Sequence, residues 1–114
     1  MFRSPLEYLK HILDESNFVI KHTKSISKET FINDEVLSKA IVRSIEIIGE
    51  ATKQVDENFK IKYPQIEWRK MSATRNILIH VYFGIDYDIL WDIITTKIPV
   101  LQKHVEEILQ KEGR

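Results

Sequence analysis

Residues 34–59 read DEVLSKAIVRSIEIIGEATKQVDENF, and their spacing decides the fold class. Leu37, Ile41, Ile45, Ile48, Thr52, Val55 and Phe59 recur at intervals of three and four, the pattern of one buried helical face. Asn33 stands where an N-cap belongs, and Asp34 and Glu35 place negative charge in the first turn, where the helix dipole favours it. The spacing predicts one long helix from about residue 34 to about residue 59. Gly49 lies inside it at a cost of about 1 kcal/mol relative to alanine. The expected return is close approach by another helix.

The same period extends to either side. Ser4-Pro5-Leu6-Glu7 has an N-cap serine, an N1 proline and an N3 glutamate, and starts a first helix ending near residues 22–24. Its apolar stripe is Leu6, Leu9, Leu13, Ser16 and Ile20. Residues 25–33 form a connector with room for one helical turn. Tyr63-Pro64 interrupts the helical trend. A third helix is expected over residues 67–83, stopped by Gly84. Asp86 caps a fourth segment, from Tyr87 to about Lys111, with the stripe Leu90, Ile94, Leu101, Val105 and Ile108. Pro99 falls inside it and should kink or split it near residues 95–97. Glycine and proline number three each, too few for a turn-rich β fold. No repeat or linker divides the chain. The expectation is one all-α domain over residues 1–114, an antiparallel up-and-down bundle of about four to five helices.

Composition narrows the chemistry. Of 114 residues, 43% are hydrophobic and 30% charged, which suits a packed core. Lys plus Arg and Asp plus Glu are 17 each, so bulk charge alone does not coat nucleic acid. The absence of cysteine removes disulfides, thiolate metal sites and cysteine nucleophiles, and permits a reducing, cytoplasmic home. No apolar run approaches the roughly 18 residues of a membrane span, and the N-terminal residues lack the apolar stretch of a signal peptide. There is no glycine-rich phosphate loop and no His-Glu-x-x-His. His11 and His22 stand about 16 Å apart along a helix, too far to share a metal. They and His104 read as surface residues, and neither metal nor cofactor is expected.

Residues 66–85, IEWRKMSATRNILIHVYFGI, depart from plain core. Met71, Thr74, Leu78, Val81 and Ile85 form one stripe. Ile79 and Phe83 are apolar on another side, which suits an interface with a second copy of the chain. Arg69, Lys70 and Arg75 face Glu67 alone in charge, whereas residues 86–114 carry four basic and six acidic groups. Arg75 and His80 suit phosphodiester cleavage in RNA. An imidazole can take a proton from a ribose 2′-hydroxyl, and a guanidinium can stabilise charge on the phosphate. The same spacing also suits a structural arginine tied to a neighbouring helix and an interior histidine. On an ideal helix the two side chains lie about 140° apart, so a shared site calls for a long reach by the arginine, a helix deformed near Gly84, or two chains.

The wording around the pair resembles a known family. Arg75-Asn76-Ile77-Leu78-Ile79-His80-Val81-Tyr82 is similar to the Arg-Asn-x-x-x-His-x-Tyr motif of the HepT-like family of HEPN-domain toxins. Glu46-Ile47-Ile48-Gly49-Glu50-Ala51 resembles that family's Glu-Ile-Ile-Gly-Glu-Ala helix. Tyr63-Pro64-Gln65-Ile66-Glu67-Trp68 resembles its Tyr-Pro-x-Ile-Pro-Trp connector, with Glu67 in place of the proline. Trp91-Asp92-Ile93 and Pro99 fit its last helix.

The resemblance implies an up-and-down helical homodimer and a metal-independent endoribonuclease, acting on RNA as the toxin of a toxin–antitoxin pair. The antitoxin would be a minimal nucleotidyltransferase that attaches AMP to a tyrosine. Carried over by residue, Arg75 and His80 are catalytic, Asn76 is a supporting polar residue and Tyr82 is the AMPylation site. Glu50 follows Gly49, whose missing side chain lets another helix approach, and is expected near the motif, where its carboxylate would orient Arg75 or His80; pairing along its own helix is the other reading. The second functional reading is a non-catalytic helical subunit that binds the nucleotidyltransferase.

Overall fold

The structure is a computed structural model and describes residues 4–74, 76, 78 and 86–113. The fold is all-α, with no strand among the described residues. The elements are α1 (Pro5–Thr23), α2 (Lys28–Asn33), α3 (Glu35–Gln54), α4 (Glu57–Lys62), α5 (Trp68–Ser72), α6 (Tyr87–Asp92), a π-helical turn (Ile93–Lys97) and α7 (Ile98–Glu112). Helix α1 packs against both α3 and α7, and α5 packs against α3.

Short polar side chains set the helix starts. Ser4 Oγ accepts the Glu7 N–H at 3.3 Å, as the sequence implies. Ser27 caps α2 and Asp86 caps α6 in the same way. The cap of α3 is Asp34 rather than Asn33, because α2 runs through Asn33 and Asp34 Oδ1 accepts the Leu37 N–H at 2.9 Å. Each such cap contributes about 1 kcal/mol.

The long helix expected over residues 34–59 ends at Gln54. Val55 is extended, with φ −65° and ψ 135°, and Asp56 opens α4 by accepting the Phe59 N–H at 2.8 Å. The aspartate offers a second start that competes with continuation, yet Val55 and Phe59 still reach the core across the break. In α1 the fully buried face is Leu9, Ile12, Ser16 and Val19, with Leu6, Leu13 and Ile20 only half-buried. A helix clasped between two others buries a wider arc than one stripe marks.

Residues 67–83 do not start as one continuous helix. Ala73 is a turn whose N–H returns to Arg69 O at 3.0 Å, and the Asn76 N–H donates to Ala73 O at 3.1 Å. The stop assigned to Gly84 lies outside the described residues.

At the other end, proline at position 99 has no N–H to offer the preceding turn, and a π turn occupies residues 93–97. Thr95 Oγ1 donates to Trp91 O at 2.9 Å and Thr96 Oγ1 to Asp92 O at 2.6 Å. The rod therefore changes pitch without breaking.

The connector before α5 is anchored by aromatic residues. Tyr63, Ile66 and Trp68 are buried, and Phe59 lies 4.9 Å from Tyr63 and 6.4 Å from Trp68 between ring centroids. Trp68 Nε1 donates to Tyr63 O at 2.9 Å. Trp68→Ala is expected to cost about 3–5 kcal/mol of folding stability. Urea unfolding followed by circular dichroism checks it; an unchanged midpoint would remove the anchoring role.

Candidate functional site

Three helices present polar edges to one groove of about 870 Å³. On α3, Arg43, Glu46, Ile47 and Glu50 follow at helical spacing beside the buried stripe, so they share the rim adjoining the core. On α1, Tyr8 and His11 stand one turn apart and form the opposite wall. Arg69 and Ser72 of α5 close the third side, followed by Asn76, and buried Leu78 lies beneath.

Two residues singled out in the sequence meet here. Glu50 is exposed on the α3 rim and accepts a hydrogen bond from Gln54 Nε2 at 3.3 Å. Asn76 is exposed on the same groove. The assignments of Arg75, His80 and Tyr82 lie outside the described residues, as do those of Val81, Ile79, Phe83 and Ile85. Met71, Thr74 and Leu78 are buried along the stripe assigned to the bundle core.

The groove also gathers residues that no spacing in the chain relates. Arg43 pairs with Glu46 on one turn of α3. Lys53 and Arg69 are exposed, and neither forms an ion pair among the described residues. His11 is exposed, as expected, but at this groove rather than on open surface. Their positions in sequence, 8 to 11, 43 to 53 and 69, are too far apart for a spacing argument to connect them.

Charge also fixes the approach to the motif. Glu67 stands at the start of α5 and pairs with Lys70 at 2.8 Å and Lys97 at 3.7 Å. The Lys70 hydrogen bond and charge, then the charge of Lys97, hold its carboxyl below the usual range. The pair with Lys97 ties α5 to the π turn. Glu112 accepts hydrogen bonds from Lys62 Nζ, at 2.7 Å, and from Tyr63 Oη. Lys62 first, then Tyr63, lower its carboxyl as well.

Both carboxylates have folded-state values below their unfolded ones. Their contribution is present above about pH 4.3, the value for an unperturbed glutamate, and is lost as pH falls through the folded-state values. Thermal melting of Glu67→Gln/Glu112→Gln is expected to depend less on pH below that point than melting of the parent. Parallel curves would show that these pairs add nothing.

No metal-holding group of three or more His, Asp or Glu is found among the described residues, and no described helix is long and apolar enough to cross a membrane. The chain is 48% identical over 110 residues to a candidate RNase of Caldanaerobacter subterraneus, covering 96% of this chain and 98% of that one. It is 44% identical over 99 residues to a candidate RNase of Methanocaldococcus jannaschii, covering 87% and 91%. It is 38% identical over 108 residues to the protein named probable ribonuclease HepT in Thermococcus cleftensis, covering 95% and 98%. No solved structure matches. The family described as "Ribonuclease HepT-like" matches residues 10–108, nearly the whole chain, and the chain belongs to that family.

Proposed function

We propose that this protein is a metal-independent endoribonuclease, the toxin of a toxin–antitoxin pair, acting as a homodimer. The observation that carries the reading is the match to a ribonuclease family across residues 10–108, which contain the Arg75-to-Tyr82 motif. Asn76, covalently next to Arg75, borders a groove with Arg43, Lys53 and Arg69 on its rim, which suits a phosphate-bearing substrate.

In the proposed reaction His80 takes the proton from a ribose 2′-hydroxyl. The 2′-oxygen bonds to phosphorus as the bond from phosphorus to the 5′-oxygen breaks. The leaving oxygen receives a proton from an imidazolium or from water. The Arg75 guanidinium neutralises charge on the phosphate oxygens as it builds up.

Two copies bring two motifs to one cleft, which removes the difficulty that Arg75 and His80 diverge on one straight helix. Sedimentation at micromolar concentration is expected to give about twice the 13.5 kDa of one chain. A monomer at that concentration would contradict the dimer. Purified protein in chelator should cleave RNA. Intact RNA together with tight binding of a minimal nucleotidyltransferase would favour a non-catalytic partner subunit instead.

A further inference from the structure

Resting on the ribonuclease reading above, we propose that the groove between α1, α3 and α5 seats a nucleotide of single-stranded RNA that flanks the cleaved bond. Its phosphates lie on Lys53, Arg69 and Arg43, and its base lies against Tyr8 and His11.

The volume, about 870 Å³, falls in the range of small-ligand sites. The basic groups come from two different helices, so they converge on a ligand rather than line one solvated face. Lys53 and Arg69 have no ion-pair partner among the described residues to surrender. Among the described residues Arg43 forms an ion pair with Glu46, its own side chain 69% exposed, and such a pair is cheap to exchange for a phosphate.

The opposite wall has a different character. Tyr8 is half-buried with its ring packed on the core, and His11 follows one turn later. Aromatic faces of this kind stack unpaired bases. One basic wall and one aromatic wall match a nucleotide with its base turned out, which a paired strand does not offer. The carboxylates of Glu46 and Glu50 on the α3 rim oppose the dense charge of a duplex, which carries one phosphate charge per about 1.7 Å. They suit a single strand, whose base edges also offer N–H donors. The groove reaches Asn76, the neighbour of Arg75, so the seated nucleotide lies beside the motif along the chain.

The test is binding without turnover. A His80→Ala protein is titrated into a labelled single-stranded oligoribonucleotide, and anisotropy is read over a range of salt. Adding Lys53→Gln and Arg69→Gln should flatten the plot of log affinity against log salt by about 1.4, two phosphate contacts at about 0.7 each for a single strand. Lys24→Gln/Lys103→Gln, which removes two exposed lysines away from the groove, should leave the slope unchanged. His11→Ala and Tyr8→Ala should each weaken binding about fivefold or more, and Tyr8→Phe should not. His11 is exposed, so its variant keeps the test valid even where Tyr8→Ala perturbs the fold.

Equal slopes for the Lys53/Arg69 and Lys24/Lys103 double variants, or no effect of His11→Ala with Tyr8→Ala folded and binding normally, would overturn the proposal. So would preferential binding of a duplex. A parent protein that binds through the groove but leaves RNA intact keeps this inference and removes the catalytic reading. A parent that cleaves RNA while the groove variants bind normally does the reverse.

Discussion

His80→Ala is expected to lower RNA cleavage by about a hundredfold or more, the usual contribution of a positioned acid–base group. Arg75→Ala should act on the same step, because removing one group that stabilises the transition-state charge costs about 10²–10³ in rate. Both variants should keep the parent's helical circular dichroism and its sedimentation. The two losses should also fail to add in the double variant, since each residue serves one transition state. Arg75→Lys separates roles further. A lysine keeps the charge but lacks the planar fork, so partial recovery marks phosphate binding. Loss of fold in either alanine variant would point to a structural pair. Cleavage at the parent's rate in both would end the catalytic assignment.

The second large effect concerns Tyr82. Co-expression with a minimal nucleotidyltransferase and ATP is expected to add one AMP to this side chain and to suppress cleavage. The transfer joins the phenolic oxygen to the α-phosphate of ATP and releases pyrophosphate. On an ideal helix Tyr82 stands nearly over Arg75. An AMP there would bring a phosphate to the guanidinium proposed to hold the RNA phosphate, as phosphorylation recruits arginine elsewhere. Inhibition then arises by competition and bulk, without unfolding. Mass spectrometry of the co-expressed protein reads the modification directly. An unmodified but neutralised protein, or Tyr82→Phe that is still fully neutralised, would show that the antitoxin works by binding alone.

Much of the bundle was legible because helix starts and buried stripes are local features. Ser4 and Asp86 cap where their spacing places them, and Leu90, Ile94, Leu101, Val105 and Ile108 are all buried as one face. The π turn before Pro99 follows from a missing N–H. The break at Val55 was not legible, because the apolar stripe runs across it: Val55 and Phe59 stay in the core on both sides of an extended residue. The two competing caps, Asn33 and Asp34, differ by one position, and only the extent of α2 decides between them.

At the site, the motif pointed to Asn76 and the neighbouring Gly49 pointed to Glu50, and both border one groove. Tyr8, His11, Arg43, Lys53 and Arg69 join them from separate helices. No periodicity relates residues on different helices, so their convergence depends on how α1, α3 and α5 pack.

The most direct measurement is the chemistry of the cut ends. RNA is digested by the purified parent protein in excess chelator, and the product termini are identified by mass spectrometry. The account predicts a 2′,3′-cyclic phosphate on one fragment and a 5′-hydroxyl on the other, with cleavage abolished at any position whose 2′-hydroxyl is replaced by hydrogen. Intact RNA in chelator, or cleavage that needs a divalent metal and leaves a 5′-phosphate on RNA lacking the 2′-hydroxyl, would contradict it.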